Sequence, residues 1–152
     1  MNDIINGLLL CVDDEQIVLH SLRDQLYKVY GNRYLIEIAE SAEEGLEILE
    51  ELSSNGFIPL IIISDWLMPG MKGDEFLIEA HRRFPYIIKL MLSGQVDEAA
   101  VQRTRDQADM YEFIRKPWDV EQLIQSIDKG LERFKSCIEK NAVVSVWNVK
   151  ND

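Results

Sequence analysis

The stretch Ile61-Ile62-Ile63-Ser64-Asp65-Trp66-Leu67-Met68-Pro69-Gly70-Met71-Lys72-Gly73 decides the fold. Unbroken isoleucines read as a strand covered on both faces, because a half-exposed strand would alternate apolar with polar residues. The strand runs straight into a carboxylate, and Pro69, Gly70 and Gly73 then mark a loop. A charge is tolerated there only if the strand ends where a ligand or water begins.

Working outward, the same alternation repeats. Strands are expected over residues 8–12, 34–39, 59–64, 87–92 and 111–114. Between them lie helical patterns. Val18, Leu19, Leu22 and Leu26 form an apolar stripe that Gly31 and Asn32 stop. Ser41-Ala42-Glu43-Glu44 is a capping box ahead of Leu46, Leu49 and Leu52. Phe76, Leu77 and Ala80 face inward on a short helix ended by Pro85, and residues 96–108 form a helix with few large apolar residues. Asp119 caps a long last helix, extending to about Lys140. Five strand–helix repeats predict a parallel α/β sheet, whose ligands sit beyond the carboxyl ends of its strands.

A chain of 152 residues suits one domain with additional sequence at an end. No apolar run approaches the roughly 20 residues that span a bilayer, and the first seven residues lack a basic signal-peptide start. The expected setting is therefore the cytoplasm, without membrane contact. Cys11 and Cys137 make neither a disulfide framework nor a metal site. A net charge of −11 argues against direct nucleic-acid binding, which needs a basic stripe.

Several chemistry-bearing residues fall at strand carboxyl ends. Asp13, Asp14 and Glu15 follow the first strand, Asp65 the third, Ser93-Gly94 the fourth and Lys116-Pro117 the fifth. Strands lying side by side would bring these groups into one shallow pocket. Clustered carboxylates repel one another and call for a cation, and a hard ion such as Mg²⁺ fits oxygen ligands. With charge so neutralised, Asp65 is suited to attack phosphorus as a carboxylate nucleophile. Lys116 would stabilise the oxygens of the transferred group, and Ser93 would hydrogen-bond one of them.

These motifs resemble the receiver domain of two-component response regulators. The likeness rests on VDDE after the first strand, SDWLMPGMKG after the third, LSG after the fourth and RKPW after the fifth, and it covers residues 8 to 133. It implies a flavodoxin-like, doubly wound five-stranded sheet of order 2-1-3-4-5. It makes Asp65 the phosphoacceptor, with Mg²⁺ held by Asp14 directly, by Asp13 through water, by Asp65 and by the backbone carbonyl of Leu67. Lys116 becomes the phosphate-binding lysine, preceding a cis proline, while Ser93 and Phe113 become the switch pair. The implied partner is a sensor histidine kinase or phosphotransfer protein. The implied output face is the helix at 96–108, the strand at 111–114 and the last helix.

Ser93 and Phe113 stand where threonine and tyrosine are frequent in the family. Phenylalanine has no hydroxyl, so the resemblance implies a steric output alone. Leu67 and Gln95 occupy the positions that tune hydrolysis: an apolar Leu67 points to slow loss of phosphate, a polar Gln95 could offset it, and the rate is left open between them. A phosphohydrolase of the haloacid-dehalogenase kind would need an acid at Leu67. Trp66 and Trp118 are expected to pack, and His20 and His81 to lie on the surface.

The domain is expected to span residues 1–133, followed by a helix extension and tail over 134–152. Val120, Ile124, Ile127, Leu131, Phe134 and Ile138 follow heptad spacing. The first half is expected against the sheet. Leu131, Phe134 and Ile138 have no evident core to join, so they are expected either to pair with a second subunit or to lead into an output domain. The apolar tail over 142–149 is open to both readings, as a packed strand or as the start of another domain.

Overall fold

The computed structural model describes residues 4–95 and 97–140 of the 152. Among the described residues the elements are β1 (Gly7–Val12), α1 (Gln16–Tyr30), β2 (Leu35–Ala39), α2 (Ala42–Ser54) and β3 (Ile58–Ser64), followed by α3 (Gly73–Arg83), β4 (Ile88–Ser93), α4 (Glu98–Ala108), β5 (Glu112–Arg115) and α5 (Val120–Lys140). All strands are parallel, in the order β2-β1-β3-β4-β5. This is the expected flavodoxin-like sheet, and its order reverses between β1 and β3, which opens a crevice at their carboxyl ends. The tail over 142–149 and Val96 lie outside the described residues.

The pleat divides the isoleucines between two cores. Ile61 and Ile63 join Leu9, Cys11, Leu90 and Leu92 beneath α1 and α5. Ile62 joins Leu8, Leu10, Val12 and Met91 beneath α2 and α3. Burial on both faces is why β1, β3 and β4 read as unbroken apolar runs. The edge strands β2 and β5 are the half-buried ones.

Local caps set the helix starts. Ser41 Oγ accepts from Glu44 N at 3.1 Å, as the capping box predicts, but the Glu44 carboxylate turns back to Glu40 N at 3.4 Å. The fourth helix begins later than expected, because Asp97 caps it by accepting from Ala99 N and Ala100 N. It buries only Ala100, Thr104 and Ala108, and Arg103 ties it to the buried carboxylate of Asp74 on α3.

Two expectations are corrected. The end of α5 does have a core within this chain: Leu131 and Phe134 are buried with Tyr30, Tyr34, Leu60 and Ile88, and Ile138 packs against the same cluster. Tyr30 and Tyr34 extend that cluster past α1, and the Tyr30 hydroxyl donates to Asp128 Oδ1 at 2.7 Å. Gly130 allows the close approach, since a Cβ there would lie 3.0 Å from Ile88 Cγ2. The apolar stripe of the last helix thus meets a core within its own chain. Its first position is also displaced, for Leu123 is buried whereas Val120 is 41% exposed.

The second correction concerns His81. His20 is exposed, but His81 is half-buried, with its Nδ1 2.8 Å from the Nζ of Lys89. Lys89 lies in the middle layer on β4 and is 1% exposed. Burial depresses its ammonium from 10.5 to about 8, with Asp109 opposing and Arg133 adding to the shift. Burial and the charge of Lys89 likewise lower His81, which favours a neutral ring able to accept from Lys89.

Between pH 8 and 10.5 the unfolded chain holds a proton at this position that the folded chain gives up. Lys89 by itself therefore adds a rise in folding stability with pH across that window, which the buried Cys11 thiol, pushed up from 9.0 to about 12, opposes above about pH 9. Lys89→Met should remove this slope and stabilise the protein by about 1–2 kcal/mol near neutral pH, because a buried ammonium is replaced by a thioether of similar length. Urea unfolding of both forms at several pH values checks it; an unchanged slope would mean that Lys89 is not the source.

Candidate functional site

Strand register brings the tips together. Val12 pairs with Ser64, Ser64 with Met91, and Ser93 with Arg115. Backbone hydrogen bonds then hold the residues one step further on. Asp13 N donates to Ala39 O at 3.1 Å, Asp65 N to Val12 O at 2.8 Å, and Lys116 N to Ser93 O at 3.1 Å. Each chemical group is thereby fixed by a neighbouring strand end.

Carboxylate oxygens of Asp13, Asp14 and Asp65 lie within 4.8 Å of one another. Asp13 and Asp65 are buried and Asp14 is exposed, so the cluster opens to solvent on one side. Lys116 Nζ stands 2.7 Å from Asp13 Oδ2, 3.6 Å from Asp65 Oδ1 and 3.8 Å from Glu15 Oε1. The Lys116–Pro117 peptide is cis, as the resemblance implied.

Burial raises the Asp13 carboxyl above its ordinary value. Hydrogen bonds from Lys116 and from Glu15 N oppose the rise without cancelling it, and the charge of Asp65 adds to it. At Lys116, burial works against the ammonium, but the Asp13 hydrogen bond and the charges of Asp65, Asp13 and Glu15 outweigh it, so its pKa is raised. One ammonium does not balance three clustered carboxylates. An all-oxygen donor set with excess negative charge fits a hard divalent cation.

Ser93 is fully buried, and its Oγ accepts from Gln95 N at 3.2 Å. Phe113 pairs with Met91, two residues before Ser93 on the same face, and packs against the core under α2 and α3. Leu67 follows Asp65 by two and is 47% exposed. The loop after Asp65 is fastened at both ends. Met71 N donates to the Glu43 carboxylate at 3.2 Å, and Gly73 N donates to Trp66 O at 2.7 Å. A Cβ on Gly73 would lie 1.9 Å from Asp65 O, so this position accepts no side chain.

Both tryptophans pack, as expected, yet Trp118 does more. Its Nε1 donates to Gln25 Oε1 on α1 at 2.8 Å. Nothing in the sequence spacing pairs residues so far apart; only the indole, which needs an acceptor when half-buried, gives a hint.

A family model described as the response regulator receiver domain matches residues 9–128. The hydrogenase transcriptional regulatory protein HoxA of Cupriavidus necator is 29% identical over 124 residues, covering 82% of this chain and 24% of that protein. The DNA-binding transcriptional regulator NtrC of Escherichia coli K12 is 26% identical over 130 residues, covering 85% of this chain and 26% of that protein. The chain thus spans about a quarter of the length of these curated relatives. Among solved structures, a CheY-like response regulator receiver domain protein from Methanospirillum hungatei JF-1 matches with a TM-score of 0.74 at 26% identity, covering 88% of this chain and 98% of that one.

Proposed function

Since this chain belongs to the response regulator receiver family, we propose that it accepts a phosphoryl group on Asp65 from a sensor histidine kinase or a histidine phosphotransfer protein. The observation that carries the reading is the Asp13–Asp14–Asp65 cluster with the Lys116 ammonium beside it. Asp13, Asp14, Asp65 and the backbone carbonyl of Leu67 would hold Mg²⁺. When bound, the ion neutralises charge on the phosphoryl oxygens.

A carboxylate oxygen of Asp65 forms the new bond to phosphorus as the P–N bond to the donor histidine breaks. The bonding electron pair stays with the imidazole nitrogen. Lys116 already faces Asp65 and pairs with a phosphoryl oxygen, which requires it to loosen its hold on Asp13. The buried Ser93 hydroxyl leaves Gln95 N for another phosphoryl oxygen, and Phe113 moves toward the space it vacates. The phosphoryl group adds about −1.5 to −2 of charge, which biases a two-state equilibrium read on the α4–β5–α5 face. Phe113 has no hydroxyl, so that output is steric. Apolar Leu67 cannot orient a water molecule, whereas polar Gln95 can, so these two positions together set how fast the acyl phosphate is lost. The module modifies only itself, in the cytoplasm, and does not turn over a metabolite.

Incubation with a small phosphodonor and Mg²⁺ should add one phosphoryl group, measured by intact mass. The addition should vanish with a chelator and in Asp65→Asn. Steady release of phosphate from a generic phosphate ester would instead indicate a hydrolase and sink the proposal.

A further inference from the structure

We propose that Gln25 is a positioning residue for the phosphoryl site, holding in place the loop that carries Lys116. The inference rests on the function proposed above for its effect on rate, though not for its effect on the lysine itself. Residues 116–119 connect β5 to α5. At the loop's entry Lys116 N is bonded to Ser93 O, and at its exit Asp119 Oδ1 accepts from Gln122 N at 3.2 Å. Between these anchors Trp118 turns to α1, where its ring packs against the cluster containing Leu22 and Leu26.

The Trp118–Gln25 bond has a defined polarity. An indole only donates, so the Gln25 amide must present its oxygen. Its Nε2 is then directed to Ser21 Oγ, one helical turn earlier, at 3.1 Å. Ser21 thus sets the amide, the amide holds Trp118, and Trp118 sits two residues beyond Lys116. Helix α1 itself follows directly on Asp13, Asp14 and Glu15. The bond therefore ties the element carrying the acids to the loop carrying the lysine, across the same junction that the 2.7 Å Lys116–Asp13 pair spans. Gln25 acts through Trp118 and has no contact with the reacting atoms.

Two readouts test this on the full chain. Gln25→Leu keeps the size of the side chain and removes the acceptor, whereas Gln25→Glu keeps an acceptor oxygen. Initial phosphorylation rates against phosphodonor concentration, with Mg²⁺ present, should show the maximal rate reduced about three- to ten-fold in Gln25→Leu, the size of one lost sheltered hydrogen bond. The half-saturating donor concentration should hold, and Gln25→Glu should retain the original rate within about twofold.

Reductive methylation of Lys116, read by peptide mass against exposed Lys28, needs no phosphoryl transfer and should accelerate in Gln25→Leu but not in Gln25→Glu. Trp118→Phe, which keeps an aromatic ring in the packing but not the donor, should behave like Gln25→Leu and stands in for it if that variant does not fold. Absence of phosphoryl mass on the unaltered chain would defeat the phosphoacceptor reading and leave methylation to decide the role of Gln25. Unchanged Lys116 reactivity in Gln25→Leu, or equal losses in the Leu and Glu variants, would overturn the positioning role.

Discussion

Lys116→Ala is expected to slow phosphorylation of the chain by a small phosphodonor about a hundred-fold or more, the usual consequence of removing one preorganised group that stabilises transition-state charge. The ammonium stands 3.6 Å from Asp65 and 2.7 Å from Asp13, which is within reach of the phosphoryl oxygens in the proposed transfer. The loss should fall on the maximal rate at saturating Mg²⁺ and leave the donor dependence nearly unchanged, because the lysine is called upon mainly in the transition state. Stopped-flow or quenched-sample mass measurements of the variant provide the check. A rate within about threefold of the original would remove Lys116 from the transfer step.

Gly73→Ala is the second large effect, and it acts on structure first. The added Cβ would lie 1.9 Å from Asp65 O and 2.8 Å from Trp66 Cα, both backbone atoms that no rotamer change can clear. Either the start of α3 retreats or the Asp65 peptide moves. The expected cost is about 3 kcal/mol of stability, at the upper end for overpacking. Because the displaced carbonyl belongs to the proposed acceptor residue itself, any folded fraction should also take up phosphate poorly. Urea midpoints together with phosphorylation of the folded protein separate the two effects. Full stability would mean that the loop yields without cost.

Much of this was legible in the sequence, and for a definite reason. A doubly wound sheet puts strand carboxyl ends on one side, so Asp13, Asp65, Ser93 and Lys116 could be placed together once the apolar runs before them were read as strands. Burial on both faces kept that reading clean at Ile61–Ile63. What escaped was decided by contacts between distant elements. Lys89 interrupts an apolar strand with a charge, and only the reach of its stem to His81 on α3 reveals why it is tolerated.

The packing of the end of α5 escapes the sequence because heptad spacing identifies an apolar stripe without naming its partner. Tyr30 and Tyr34 provide that partner here, from residues whose pattern pointed only to α1 and β2. Asp97 does not stand out as a cap because its helix is so poor in large apolar residues that periodicity does not fix its start. The Trp118–Gln25 bond joins a loop to a helix some ninety residues earlier, and no local pattern encodes it.

The most direct measurement is chemical trapping. After brief exposure to phosphodonor and Mg²⁺, borohydride reduces an acyl phosphate to the alcohol, and peptide sequencing by mass spectrometry locates the product. Homoserine in place of aspartate at position 65, and at no other acid, is the predicted result; phosphoryl mass retained on a histidine, or reduction at Asp13 or Asp14 with Asp65 intact, would contradict the account.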